Sequence, residues 1–110
     1  MIGVHNCAWN ADPYVPHYAR LRRVAYIDMG LESDLVSARA AFPEARRALM
    51  YTPMDVKEKT SAQLEADLER MAREYGPCDV VFADIDLGVP DGRIHELIDL
   101  CDRISGRVAC

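Results

Sequence analysis

Asp79-Val80-Val81-Phe82-Ala83-Asp84 is a short apolar run bounded by carboxylates, one residue after Gly76-Pro77. It is too short for a stable helix and too β-branched to favour one, so it reads as a buried strand. Upstream, Thr60 and Gln63 have capping-box spacing. Leu64, Leu68, Met71 and Tyr75 then form one apolar stripe until Gly76 and Pro77 stop the helix. Downstream, Asp91 opens a second helix with Ile94, Leu97, Ile98, Cys101 and Ile104 on one face, closing at Gly106. The tail 107–110 carries no pattern. Helix, strand, helix is the unit on which the fold reading rests.

Three earlier runs repeat it. Ile2 to Cys7, Arg23 to Asp28 and Arg47 to Tyr51 are predicted strands. Met29-Gly30 and Thr52-Pro53 break the second and third. Residues 8–16 hold two prolines and read as a loop, followed by a turn of helix at His17 to Leu21. Ser33 is expected to cap a helix from Asp34 to Phe42, which Pro43 ends. The order is then β-α-β-α-β-α-β-α, an α/β chain of four βα units with parallel strands. Four units are half of a closed (β/α)8 barrel, so 1–110 is read as a single half-barrel domain. An open doubly wound sheet is the alternative.

Bulk properties narrow the function classes. With 110 residues the chain supports one small domain. A net charge of −5 argues against a nucleic-acid or anionic-membrane partner. The arginines at 20, 22, 23, 46 and 47 precede strands and are expected on solvated junctions. Cys7, Cys78, Cys101 and Cys110 are scattered, with no CxxC pair and no signal peptide, so a reducing cytoplasm is expected. No run reaches the roughly 20 apolar residues of a membrane helix. Only the four residues Met1 to Val4 precede the His-x-Cys, an abrupt start for a complete α/β domain.

The chemistry-bearing residues fall at strand ends, where α/β proteins build sites. His5 and Cys7, two apart on an extended segment, share a face and are of metal-ligating type. Asp28, Asp84 and Asp86 follow later strands. Asp84 and Asp86 should face the same way, which would raise the pKa of one of them and suit acid/base work. Trp9, Asn10 and Tyr14 would line a pocket or pack over a rim. His17 and His95 are expected on the surface, and Met50, Met54 and Met71 in the core.

His5-Asn6-Cys7, Tyr26-Ile27-Asp28, Tyr51-Thr52-Pro53-Met54-Asp55 and Asp86-Leu87-Gly88-Val89-Pro90-Asp91, in that order, resemble the carboxyl-terminal half of the uroporphyrinogen decarboxylase superfamily, built on a (β/α)8 barrel. The third segment stands where that family commonly has Gly-Asn-(Ile/Val)-Asp-Pro. The fourth stands where it has a glycine-containing strand end, then Pro-Asp and a final helix. The His-x-Cys points to the cobalamin-dependent methyltransferase branch, in which His-x-Cys and a distant Cys hold zinc. That zinc activates a thiol to attack a methyl group on a corrinoid.

The resemblance implies a zinc-dependent, methyltransferase-like site, with a corrinoid as co-substrate and a small molecule or corrinoid protein as partner. Asp86 stands where the family has its second Cys, because Cys78 precedes the strand. The implied metal ligands are therefore His5, Cys7 and Asp86, with one position open; Asp84 is the fallback. Asp28 and Asp84 are the catalytic candidates, Asp28 behind a ligand or against substrate. Half a barrel leaves such a site incomplete. A homodimer closing the ring, or a separate amino-terminal half, would complete it. Two rivals are a metal-free half-barrel binding module and a decarboxylase-like lyase, the latter disfavoured by the acidic charge.

Overall fold

The computed structural model describes residues 1–7 and 10–108, with 107 and 108 described by their backbone alone. Strands β1 (Ile2–Val4), β2 (Val24–Gly30), β3 (Arg46–Tyr51) and β4 (Cys78–Phe82) form one sheet in the order β1-β2-β3-β4. All three neighbouring pairs are parallel. The helices are α1 (Val15–Tyr18), α2 (Leu35–Ala41), α3 (Pro53–Glu58), α4 (Ser61–Tyr75) and α5 (Asp91–Val108). The α/β class and the parallel sheet are as expected.

The two-residue pleat divides the sheet. Ile27 and Met29 of β2 join Leu49 and Tyr51 of β3 in the apolar cluster built with the helices. Tyr26, Asp28, Ala48 and Met50 alternate with them and fall on the opposite face. From the helices come Leu35 and Ala38, then the α4 stripe Leu64, Leu68, Met71 and Tyr75, then Leu97, Leu100 and Ile104. The α4 cap is a full capping box: Thr60 accepts from the Gln63 amide, and the Gln63 side chain accepts from the Thr60 amide. At the other end, a Cβ on Gly76 would sit 2.4 Å from the Ala72 carbonyl oxygen, so only glycine lets the chain turn away there.

Several expectations change on inspection. β1 is shorter than read, so His5 and Cys7 lie beyond its end. β2 runs on through Met29-Gly30, which places Asp28 inside a strand. β4 ends at Phe82, leaving Ala83 and Asp84 outside it. The cap of α2 is Asp34, which accepts from the Ser37 amide; Ser33 is buried and accepts from the Ala11 amide instead. Helix α1 begins earlier than expected, because Pro16 is tolerated in a first turn. For the same reason Pro53 starts α3 rather than merely ending β3, with Thr52 accepting from the Met54 amide.

Met71 is buried, but Met54 and Ile98 are exposed, and Leu100 takes the core position given to Ile98. Helix α5 also continues past Gly106. His17 and His95 are exposed as expected. Among the described residues Cys7, Cys78 and Cys101 are free thiols; Cys110 lies outside the described residues. No helix of the described residues is long and apolar enough to cross a membrane.

Burial of ionisable groups sets an alkaline limit on this fold. Burial pushes the Cys78 thiol from 9.0 up to about 11. Burial, then the Asp28 hydrogen bond, pushes Tyr26 from 10.0 up to about 12. Tyr51 and Tyr75 are raised as well, burial again being the largest cause. These groups stay protonated in the fold at pH values where the unfolded chain has begun to ionise. Their stabilisation is therefore fully present below about pH 9 and is lost as pH climbs through the raised values. Urea midpoints should agree at pH 7 and 8 and drop clearly by pH 11. A midpoint that held to pH 11 would contradict the burial of these side chains.

Candidate functional site

The site begins where β1 stops. Its register pairs Val4 with Ile27, so the next residue, His5, comes beside Asp28. His5 Nδ1 lies 2.8 Å from both Asp28 carboxylate oxygens. The Asn6 backbone N–H donates to Oδ1 at 2.9 Å, and the Tyr26 hydroxyl donates to Oδ2 at 2.8 Å. Asp28 is 5% exposed, and three converging donors hold it as an acceptor. Because Asp28 can only accept, Nδ1 of His5 carries the proton and donates. In the neutral imidazole, that leaves Nε2 as an acceptor facing outward.

Nε2 meets Cys7 Sγ at 2.8 Å. Against a neutral imidazole the thiol is the donor in this contact, and both side chains are open to solvent. A carboxylate, an imidazole and a thiol thus stand in line, the first buried and the last exposed. The Asn6 side chain donates to the Tyr18 hydroxyl at 3.2 Å, which ties α1 to the same strand end. The returning loop is anchored by the Ser33 hydroxyl on the Ala11 amide, 2.9 Å, and by Asp12 on the Asp34 amide, 2.6 Å. Asn10 and Tyr14 are exposed on this loop; Trp9 lies outside the described residues.

Of the residues singled out by sequence, the structure unites His5, Cys7 and Asp28. It does not bring Asp86 to them. β1 and β4 are opposite edges of the sheet, three strand spacings or about 14 Å apart. Asp86, in the loop after β4, accepts from the Gly88 amide at 2.7 Å and pairs with Lys57 at 3.3 Å. Those donors, the Gly88 amide first, lower its pKa, opposite to the expected like-charge effect. Asp84 follows the strand end with φ 55 and is exposed, away from the His5 edge. The strand facing that was expected to align it with Asp86 does not apply outside a strand.

No family model, curated protein or solved structure matches this chain. The geometry alone carries the chemistry. His5 Nε2 and Cys7 Sγ are a nitrogen and a thiolate-forming sulfur, the donor types that zinc prefers. Tetrahedral zinc spaces such a pair by about 3.6 Å, so separating the two by less than 1 Å would accommodate it. The carboxylate on Nδ1 is the usual outer partner of a ligating imidazole. Two donors fit, and the set is short of a third: among the described residues no group of three or more His, Cys, Asp or Glu side chains is placed to hold a metal ion.

Sequence reasoning missed Tyr26. The available signal was its place two residues before Asp28, which puts both side chains on one face of β2.

Proposed function

We propose that this chain is the carboxyl-terminal half of a (β/α)8 barrel of uroporphyrinogen decarboxylase type, contributing His5 and Cys7 to a zinc site that transfers a methyl group between a corrinoid and a thiol. The observation that supports this is the line from Asp28 through His5 to Cys7, with both contacts at 2.8 Å. Zinc, when bound, would stabilise an acceptor thiol as its thiolate and so make it a nucleophile. His5 and Cys7 would hold the ion, and Asp28 would keep the imidazole turned toward it. The remaining ligand comes from outside the described residues.

The sheet supports that division of labour. Both β1 and β4 are edge strands running in the same direction. A second copy related by a two-fold axis along the strands would set each β4 against the other's β1 and close a ring of eight. Parallel sheets are normally covered on both faces, and unpaired edges are a liability that closure removes. A separate amino-terminal half would close the ring by the same edges.

The test is metal analysis on protein purified without chelator. Bound zinc in constant ratio to protein, lost on Cys7→Ser, is the expected result. Cobalt in its place should give the thiolate-to-metal charge-transfer band of a Cys ligand, absent in the same variant. Wild-type protein that neither retains nor takes up zinc would end the methyl-transfer reading and leave a metal-free binding module.

A further inference from the structure

The contacts around Asp28 reach beyond the two metal-ligating side chains. Tyr26 and Asp28 lie on the same face of β2, and the tyrosine hydroxyl donates to Oδ2 at 2.8 Å while the Asn6 amide donates to Oδ1 at 2.9 Å. The carboxylate is therefore gripped at each oxygen by a donor other than histidine. The two grips set its plane, with both oxygens turned toward Nδ1 at an equal 2.8 Å. The Asn6 grip comes from backbone and cannot be varied by a side chain. The Tyr26 grip can.

The geometry points to Tyr26 as a positioning residue: by holding Asp28 Oδ2 it selects the Nδ1–H tautomer of His5 and presents a bare Nε2 beside Cys7. This deepens the zinc reading and rests on it for the identity of the ion, but not for the tautomer. Tyr26 is suited to the part because burial and the Asp28 contact raise its pKa to about 12, so it remains a donor over the whole neutral range. The hydrogen bond its hydroxyl makes is to Asp28, and it acts through that carboxylate.

Tyr26→Phe removes one oxygen from a half-buried ring and changes no other contact on that side chain that the structure records. The direct readout is long-range 1H–15N correlation of the His5 ring in metal-free protein at mildly alkaline pH. Wild-type protein should show one tautomer, with Nδ1 protonated and Nε2 bare. The variant should show a mixture of both, and Asp28→Asn a mixture too. Zinc affinity, measured by competition with a chromophoric chelator, should fall in Tyr26→Phe, by less than the roughly tenfold or more usual for a partner that touches a ligand directly.

The outcomes separate the two readings. A mixed tautomer in the variant with no zinc binding by any form supports the tyrosine's role and removes the zinc proposal. An unchanged single tautomer overturns the role of Tyr26, whatever happens to zinc. Should Tyr26→Phe fail to fold, Asp28→Asn carries the tautomer test, and a single Nδ1–H tautomer there overturns the inference.

Discussion

Replacing Arg47 by alanine should unfold this protein or leave it barely folded. Arg47 is 4% exposed, yet no ion pair among the described residues involves it. It donates instead to five backbone carbonyls: Tyr75, Phe42, Pro43, Gly76 and Pro77, at 2.9 to 3.3 Å. Those oxygens lie at or just beyond the carboxyl ends of α2 and α4, where helix carbonyls lack intrahelical partners and the dipoles are negative. The same cation lies 5.6 Å from the centroid of the Tyr75 ring. One side chain thus satisfies two helix ends and the entrance to β4.

Alanine would leave those carbonyls facing a hole in the core. Each buried carbonyl left without a donor costs about 1–3 kcal/mol, against a total of about 5–15 kcal/mol for a typical domain. Lysine should recover little, since an ammonium offers three donors from a single point where guanidinium offers five in a plane. Urea unfolding of Arg47→Ala and Arg47→Lys measures this directly. Amide exchange at the last turns of α2 and α4 should quicken first. A midpoint within 0.5 kcal/mol of wild type for the alanine variant would refute the role.

The second large effect is expected at Asp28. Alanine there removes the acceptor for the Asn6 amide, the Tyr26 hydroxyl and His5 together. His5 regains solvent easily, but the amide is buried and the hydroxyl half-buried. Stability should fall by about 2 kcal/mol, the usual cost of stranded buried donors. The site should suffer more. With Nδ1 no longer held, the ring is free to turn away from Cys7, and if the proposed zinc site exists its affinity should drop at least tenfold and nearer a hundredfold. Thermal unfolding and chelator competition on one preparation give both numbers. Zinc binding unchanged in Asp28→Ala would show that the carboxylate has no part in aiming the imidazole.

Some of the site was legible and some was not, for reasons that particular residues make plain. His5 and Cys7 stand out as a metal-type pair because they are adjacent in the chain and carry their chemistry in their residue types. Asp28 was named, but as a strand-end residue; that it lies within β2 follows from Met29 and Gly30 continuing the pairing with Leu49 and Met50. Asp86 looked like a third ligand because nothing in a linear pattern says which strands are neighbours. Arg46 and Arg47 looked alike as a solvated pair. The pleat sends Arg46 outward to Asp79 at 2.7 Å and Arg47 inward to the helix ends.

The sequence by itself determined the alternation of strands and helices, the parallel sheet it implies, the α4 stripe with its capping box, and a His-x-Cys at the end of the first strand. These are local matters, settled by periodicity and by residues a few positions apart. The tertiary structure alone decided that Asp28 and Tyr26 stand behind His5, that Arg47 joins two helix ends, and that Asp86 belongs to the far edge. Each depends on strand order and register, which bring together groups more than twenty residues apart and are fixed by burial over the whole sheet.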